Sequence, residues 1–290
     1  MGVRRAYEYA CAEVKRSAGK VYTLGPLIHN PRALAELKQK GVEILDEAQL
    51  PDDLGGTVVI IRAHGVCPQT EAELHKRGAA VVDATCPRVK ASQLKAAALA
   101  KAGYRIFLAG EESHTEIIGI LGYAQAAACG ATVVSNADEA EKAAAQLHAE
   151  GTAFQNKVKT ALIGQTTISP EEYHAIGKAI THFFPNLEIT QTICAATGER
   201  QDSLRELLGK TDAVIIAGGK ESSNTRRLYS IAQESGKPCA LVETAADIPP
   251  EFYQFKKIGL AAGASTPDTV IDEIENSIKF PHSTELIPKL

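Results

Sequence analysis

Short runs of β-branched and aliphatic residues alternate with helical segments along nearly the whole chain, and this alternation limits the possible folds more than any other feature. The runs are almost continuously apolar, which is typical of strands that are buried on both faces. Strands that alternate with helices form parallel sheets whose faces the helices cover. The sequence therefore predicts an α/β fold with parallel-type sheets and strands at 57–63, 79–85, 104–110, 131–135, 160–165, 213–219, 239–243 and 258–263.

The composition narrows the choice of partners and location. The chain has 290 residues, and its net charge of -4 comes without a basic tract, which argues against nucleic acid as a partner. No apolar run approaches the ~18 residues that a membrane span needs, and no signal-peptide pattern is present. Six widely spaced cysteines indicate cytosolic thiols or metal ligands rather than a disulfide framework. We therefore expect a cytoplasmic protein with no membrane partner.

Two cysteines lie at an unusual junction between a strand and a helix. Cys86 in "VVDATCPRVK" and Cys194 in "EITQTICAATGER" each follow a predicted strand and precede a predicted helix. A helix N-terminus lowers the pKa of a thiol and favours the thiolate that binds metal. Buried structural thiols are the open alternative. The remaining cysteines lack this junction and are interpreted as core or incidental residues: Cys11, Cys67, Cys129 and Cys239.

The two junctions are roughly one domain length apart, and one further step back reaches the start of the chain. The chain begins there in a helix, with no strand before it. We therefore predict three α/β domains, the first without its opening strand: 1–85, 86–193 and 194–280, followed by a tail at 281–290.

Several predicted strands end in loops rich in Gly, His, Ser, Thr and Asn. Three of the eight histidines, His29, His64 and His114, lie in these loops. Such donors beside small residues favour a phosphate-sized anion at the strand ends. The P-loop and GxGxxG spacings of nucleotide-binding proteins are absent from the sequence.

Glu116 lies two residues after His114, at the start of a predicted helix. A carboxyl group among donors for an anion is better suited to proton transfer than to binding. The alternative for Glu116 is that it only caps its helix.

For the two cysteines, a zinc site made of Cys86, Cys194 and a histidine also stays open.

Along essentially its whole length, the chain resembles the LytB/IspH family, 4-hydroxy-3-methylbut-2-enyl diphosphate reductase. The resemblance is carried by motifs in the order of the family: "GVRRA", "IHN", "AHGV", "DATCP", "SHTE", "GQTT", "CAAT", "SSN" and "GASTP".

The resemblance implies a trefoil of three α/β domains around a central [4Fe-4S] cluster with three cysteine ligands and one open iron. Cys86 and Cys194 match two of these ligands, and the third is expected upstream of Met1. Two explanations are open: the true chain extends through a strand and a cysteine, or this is a paralogue without that ligand.

The resemblance also implies the roles of the other residues. Glu116, Thr166 and His114 would be catalytic, with Glu116 delivering protons and Thr166 contacting the substrate hydroxyl; Thr197 would orient this network. The residues implied to bind the substrate are His29, His64, His114, Thr166, Ser222, Ser223, Asn224 and Ser265.

The implied reaction is the reductive dehydration of 4-hydroxy-3-methylbut-2-enyl diphosphate to isopentenyl and dimethylallyl diphosphate, the last step of the methylerythritol phosphate pathway. Electrons are expected from a ferredoxin or a flavodoxin, because the sequence carries no flavin or nicotinamide motif. The alternative is a non-catalytic relative that binds a diphosphate or a metal.

Overall fold

The computed structural model describes residues 2–28, 30–127, 130–153 and 158–280. Within these ranges the chain forms ten α-helices and eleven β-strands, and every pair of neighbouring strands is parallel. No helix in the described part of the chain is both long enough and apolar enough to cross a membrane.

The first sheet holds four short strands. The elements of this region are α1 (Gly2–Arg16), β1 (Val21–Leu24), α2 (Pro31–Gln39), β2 (Val42–Leu45), β3 (Val58–Ile61), α3 (Pro68–Lys76) and β4 (Ala80–Asp83). The strands are ordered β2-β1-β3-β4. Leu24, Val59 and Ile61 pack with Leu74 of α3 in one hydrophobic cluster. This packing covers one face of the sheet.

The second sheet is covered by helices on both faces. Its elements are α4 (Pro87–Lys101), β5 (Arg105–Ala109), α5 (Thr115–Ala126), β6 (Ala131–Val134), α6 (Ala137–Ala153), β7 (Thr160–Gly164), α7 (Pro170–Phe183) and β8 (Glu188–Ile189). The order of strands is β6-β5-β7-β8. Ile106 and Leu108 pack with α4 and α5, whereas Phe107 and Ala109 pack with α6 and α7, as the alternation of side chains along a strand requires.

The third sheet has the same layered construction. Its elements are α8 (Ala195–Leu208), β9 (Ala213–Ala217), α9 (Ser223–Glu234), β10 (Cys239–Val242), β11 (Ile258–Ala262) and α10 (Asp268–Lys279), with two 3-10 turns at Ala245–Asp247 and Pro250–Gln254. The order is β10-β9-β11. Ile215 packs with α10 on one face, and Val214 and Ile216 pack with α8 and α9 on the other.

The predicted α/β fold with parallel sheets is confirmed, and each of the eight strands whose ranges were predicted is present within two residues at either end. The described residues pack as two compact units, one of Met1–Leu27 and Leu37–Ala195 and one of Ile28–Glu36 and Ala196–Leu290. The first unit contains two sheets and the second contains one. The three domain ranges drawn from the sequence stay a prediction.

The strand expected directly before Cys194 is shorter than the sequence suggests. β8 ends at Ile189. Beyond it, the side chain of Thr192, rather than a backbone carbonyl, accepts the hydrogen bond from β7. The Thr192 hydroxyl accepts a hydrogen bond from the Gly164 amide at 2.9 Å, which satisfies the end of β7.

Candidate active site

The turn after β3 brings His64 and Cys86 to neighbouring positions in the backbone. The Cys86 amide donates to the carbonyl of Ala63 at 2.9 Å. Gly65 has a φ of 74°, and a Cβ there would lie 2.4 Å from Nε2 of Gln93. Only glycine therefore fits this turn without strain, and its presence fixes the backbone that carries His64.

His64 contacts His114, which caps helix α5. The two rings meet edge to face, with centroids 5.4 Å apart and an interplanar angle of 88°. His114 Nδ1 accepts a hydrogen bond from the Glu116 amide at 3.2 Å. This is the N-cap bond that a Ser or Asp side chain more often makes at the start of a helix. Because Nδ1 accepts, the neutral ring carries its proton on Nε2 and can donate it to an anion.

Glu116 is buried and paired with Thr166. Only 1% of the residue is exposed. One carboxyl oxygen accepts the Thr166 amide at 2.7 Å, and the other accepts the Thr166 hydroxyl at 2.9 Å. Burial raises the pKa of Glu116 from 4.5 to about 7, against the opposing effect of the Thr166 hydrogen bonds. A carboxyl group with this pKa can hold and release a proton near neutral pH.

Thr166 connects this pair to Cys194. The Thr166 carbonyl accepts the Cys194 amide at 2.9 Å. Contacts in the first unit therefore join His64, His114, Glu116, Thr166 and Cys194 in that order, and Cys86 hydrogen-bonds to Ala63, the neighbour of His64 in the chain.

The sequence analysis did not single out Gln165, which holds the same loops together. Its side chain is buried, accepts the Glu111 amide at 3.1 Å and donates to the Thr167 hydroxyl at 2.9 Å. A glutamine at the end of a buried strand, inside the "GQTT" motif, was the signal that could have identified it.

A second group of predicted residues lies in the second unit, at the start of α9. Ser222 is the N-cap and accepts the Thr225 amide at 3.4 Å. Asn224 and Ser265 are buried, and among the described residues no partner reaches the Asn224 amide group or the Ser265 hydroxyl. Buried polar groups without partners are costly, so their presence at a helix N-terminus indicates a site for an anionic ligand.

Two neighbours of this group were also missed. Thr225 is fully buried, and its hydroxyl has no partner among the described residues. Thr266 donates to the carbonyl of Ala217 at 2.9 Å, which ties the loop after β11 to the end of β9.

Of the other residues predicted from the sequence, Ser223 is the first residue of α9. His29 lies outside the described residues, as does the side chain of Thr197.

The two thiols have the chemistry of metal-cluster ligands. Cys86 and Cys194 are free and half-buried, and each directly precedes a helix. A Cβ added at Gly2 would lie 2.6 Å from Cys86 Sγ, so glycine at the start of α1 leaves the room that this thiol needs. Among the described residues there is no group of three His, Cys, Asp or Glu side chains that could hold a metal ion.

Parallel sheets whose strand ends carry thiols, imidazoles and a buried carboxyl group define an α/β enzyme with acid–base and anion-binding groups. The family described as LytB protein matches residues 1–279. The chain belongs to this family, which consists of oxidoreductases of isoprenoid biosynthesis with a [4Fe-4S] cluster.

Relatives of known name agree with this assignment. The 4-hydroxy-3-methylbut-2-enyl diphosphate reductase of Treponema denticola is 42% identical over 284 residues, covering 96% of this chain and 94% of the relative. That of Aquifex aeolicus is 38% identical, covering 96% and 92%.

Solved structures show the same fold. A structure of (E)-4-hydroxy-3-methyl-but-2-enyl diphosphate reductase, the terminal enzyme of the non-mevalonate pathway, matches with a TM-score of 0.70 at 38% identity, covering 96% of this chain and 95% of that one. The E-1-hydroxy-2-methyl-but-2-enyl-4-diphosphate reductase of Plasmodium falciparum matches with a TM-score of 0.85 at 27% identity, covering 100% and 91%.

Proposed function

We propose that the chain catalyses the reductive dehydration of 4-hydroxy-3-methylbut-2-enyl diphosphate to isopentenyl and dimethylallyl diphosphate. The observation that carries this proposal is the buried pair of Glu116 and Thr166, joined through backbone hydrogen bonds to Cys194. A carboxyl group with a pKa of about 7 beside a hydroxyl suits the protonation of a departing hydroxyl group. The cytoplasmic location expected from the sequence is part of the same proposal.

Cys86 and Cys194 would hold the [4Fe-4S] cluster, since cysteine sulfur is the usual ligand of such clusters and both residues directly precede a helix. The third thiolate of the proposed set is expected from outside this sequence, in a segment leading into α1, whose first turn contacts Cys86. When bound, the cluster would supply electrons and an open iron that acts as a Lewis acid.

Donors proposed for the substrate diphosphate occur in each unit. In the first unit, His64 and His114 offer imidazole N–H groups. In the second unit, Ser222 and Asn224 lie at the start of α9, and the buried side chains of Asn224 and Ser265 have no partner among the described residues. Ser223 and His29 complete the set that the resemblance implies. Binding at the diphosphate orients the reacting C–O bond and lowers the entropic cost of reaction.

The reaction consumes two electrons and two protons, breaks the allylic C–O bond, forms a C–H bond and releases water. Glu116 would give its carboxyl proton to the leaving hydroxyl, because hydroxide itself is a poor leaving group. The Thr166 hydroxyl donates to Glu116 and would contact the same substrate oxygen. Electrons would arrive one at a time from an acidic carrier, a ferredoxin or a flavodoxin.

The test is an anaerobic preparation analysed for iron and sulfide, then assayed with the diphosphate substrate and a chemical reductant. Cys86→Ser and Cys194→Ser should lose the cluster, whereas the matched control Cys239→Ser, at a half-buried cysteine on β10, should keep it. A preparation that includes the codons upstream of Met1 tests the third ligand, with a higher cluster content expected.

Two results would contradict the proposal. A colourless protein with bound zinc would favour a hydrolase. A cluster-replete protein that binds the diphosphate without forming either product would favour a non-catalytic relative.

A further inference from the structure

We infer that Asp83, Lys90 and Tyr123 form a network that positions the Cys86 turn and links it to the helix that carries Glu116. The inference rests on the proposed function, in which Cys86 is a cluster ligand. Asp83 and Lys90 are positioning residues, since they act on the thiol through the backbone of the turn.

Asp83 holds the turn that leads to Cys86. It is the last residue of β4, and its Oδ1 accepts the amide of Thr85 at 2.9 Å. The carbonyl of Thr85 accepts a hydrogen bond from the Arg5 guanidinium at 3.1 Å. Both polar groups of the Thr85 backbone are therefore paired, and the residue before the thiol has little freedom to rotate.

Lys90 holds the other side of the same turn. Its ammonium group lies 2.9 Å from Oδ2 of Asp83, and its backbone amide donates to the carbonyl of Cys86 at 2.9 Å. The ion pair therefore joins the last residue of β4 to the first turn of α4, with Cys86 between them. A shift of either partner would move the backbone of the thiol.

The network continues into α5. The Lys90 ammonium group donates to the Tyr123 hydroxyl at 3.0 Å and lies 5.5 Å from the centre of its ring. Tyr123 lies on the helix whose first turn holds Glu116. The Lys90 side chain thus connects α4, which starts directly after the proposed ligand Cys86, to α5, whose first turn holds the proposed acid Glu116.

Both charges persist across the neutral range. Partial burial favours the neutral forms, but the hydrogen bonds from Thr85 and Lys90 lower the pKa of Asp83, and those to Tyr123 and Asp83 raise the pKa of Lys90. Glu71 is the further carboxylate facing the ammonium group, at 3.9 Å. Because the Glu71 side chain makes no hydrogen bond or ion pair with Asp83, Thr85 or Cys86 in the described part of the chain, it offers a matched control for the loss of a neighbouring charge.

The experiment measures the rate at which iodoacetamide alkylates Cys86 in the cluster-free full chain, with Cys194 as the internal reference. Asp83→Ala and Lys90→Met should speed alkylation of Cys86 by about tenfold, the factor expected from the loss of one hydrogen bond. Cys194, which is held through Thr166, should keep its rate. Lys90→Arg should restore the slow rate, and Glu71→Gln should match the parent.

Hydrogen exchange at the Thr85 amide gives a second readout. Asp83→Ala should increase it, whereas Asp83→Asn, which keeps an acceptor oxygen, should have a smaller effect. Equal Cys86 rates in the parent, Asp83→Ala and Lys90→Met would overturn the inference, as would an equal rise at Cys194, which indicates general loosening.

A cluster-loaded sample separates this inference from the proposed function. Iron release to a chelator should be faster in Asp83→Ala and Lys90→Met than in the parent or Glu71→Gln. A parent that binds no cluster would contradict the proposed function, while the alkylation rates of the cluster-free protein would still decide whether the network positions Cys86.

Discussion

The carboxyl group of Glu116 combines near-complete burial with two hydrogen bonds from a single residue. Burial penalises the charged form, and the two bonds from Thr166 offset only part of that penalty, so the pKa rises to about 7. Glu116 also lies in the first turn of α5, two residues after the N-cap His114. Substitution can separate the capping role from the proton-donating role.

Glu116→Gln should lower turnover by roughly two orders of magnitude or more, the scale of a lost general acid, while substrate still binds. Glutamine keeps the size of the side chain and can satisfy Thr166, but it has no carboxyl proton to give. The measurement is steady-state kinetics on cluster-replete protein.

The matched control is Glu112→Gln, which removes an exposed carboxylate from the same loop. It should leave turnover unchanged. If Glu116→Gln also stays within a few-fold of the parent, Glu116 is a helix cap and another group supplies the proton.

Asn224 should favour ligand binding at a small cost in the free energy of unfolding. Its buried amide has no partner among the described residues, so Asn224→Leu removes an unsatisfied polar group at nearly constant size. The free energy of unfolding should stay equal or rise by about 1 kcal/mol. Affinity for the diphosphate substrate should fall by about tenfold, the loss of one hydrogen bond to a charged group.

Asn30 provides the comparison, because its buried side chain does have a partner. Its Oδ1 accepts the Ala33 amide at 3.0 Å, so Asn30→Leu should destabilise the protein by about 1 kcal/mol. Denaturant unfolding of both variants measures this difference. A destabilised Asn224→Leu with unchanged affinity would assign Asn224 to the fold rather than to a ligand.

At the scale of elements, the site depends on tight turns at the ends of parallel strands. The turn after β3 places His64 beside α5, and Gly65 allows the backbone to pass Gln93. Two costs attend a side chain at Gly65: the left-handed backbone conformation and the steric contact with Gln93. A second glycine in the chain isolates the first cost.

Gly65→Ala should both destabilise the fold and weaken substrate binding, since the new methyl group would displace Gln93 and with it the His64 turn. Gly56→Ala is the control: its φ of 71° is similar, but a Cβ there meets nothing within 4 Å. It should cost about 1–2 kcal/mol and leave KM unchanged. Equal KM values for both variants would show that the turn does not position His64.

For the whole molecule, the raised pKa of Glu116 makes stability depend on pH. Between pH 4.5 and about 7 the folded protein keeps the Glu116 proton that the unfolded chain has released. The folded state therefore binds more protons there, and its stability falls as pH rises. This one group should contribute a loss of about 2.5 kcal/mol between pH 5 and pH 8.

The measurement is the free energy of unfolding of the parent and of Glu116→Gln at these two pH values. The parent should lose stability relative to the variant as pH rises, because glutamine does not titrate. The same pH dependence in both proteins would show that the pKa of Glu116 is not raised.

Much of the fold was predictable from local patterns. Apolar strands and helical segments of the right length identified the layers, since each strand buries both faces and each helix buries one. β1 and β2 were not predicted, because their four-residue runs contain the polar residues Thr23 and Glu43, which interrupt the apolar pattern. The strand predicted before Cys194 was too long. The Thr192 hydroxyl takes the place of a backbone partner there, and residue propensities along the chain do not reveal such a bond.

The sequence by itself determined the alternation of elements, the thiols before α4 and α8, and the donors at strand ends, because these depend on neighbours along the chain. Only the tertiary structure decided that Glu116 is buried against Thr166 and that Lys90 joins Asp83 to Tyr123. The pKa of a carboxyl group depends on the atoms around it in space. Those atoms come from β7 and its loop, which only folding brings to α5.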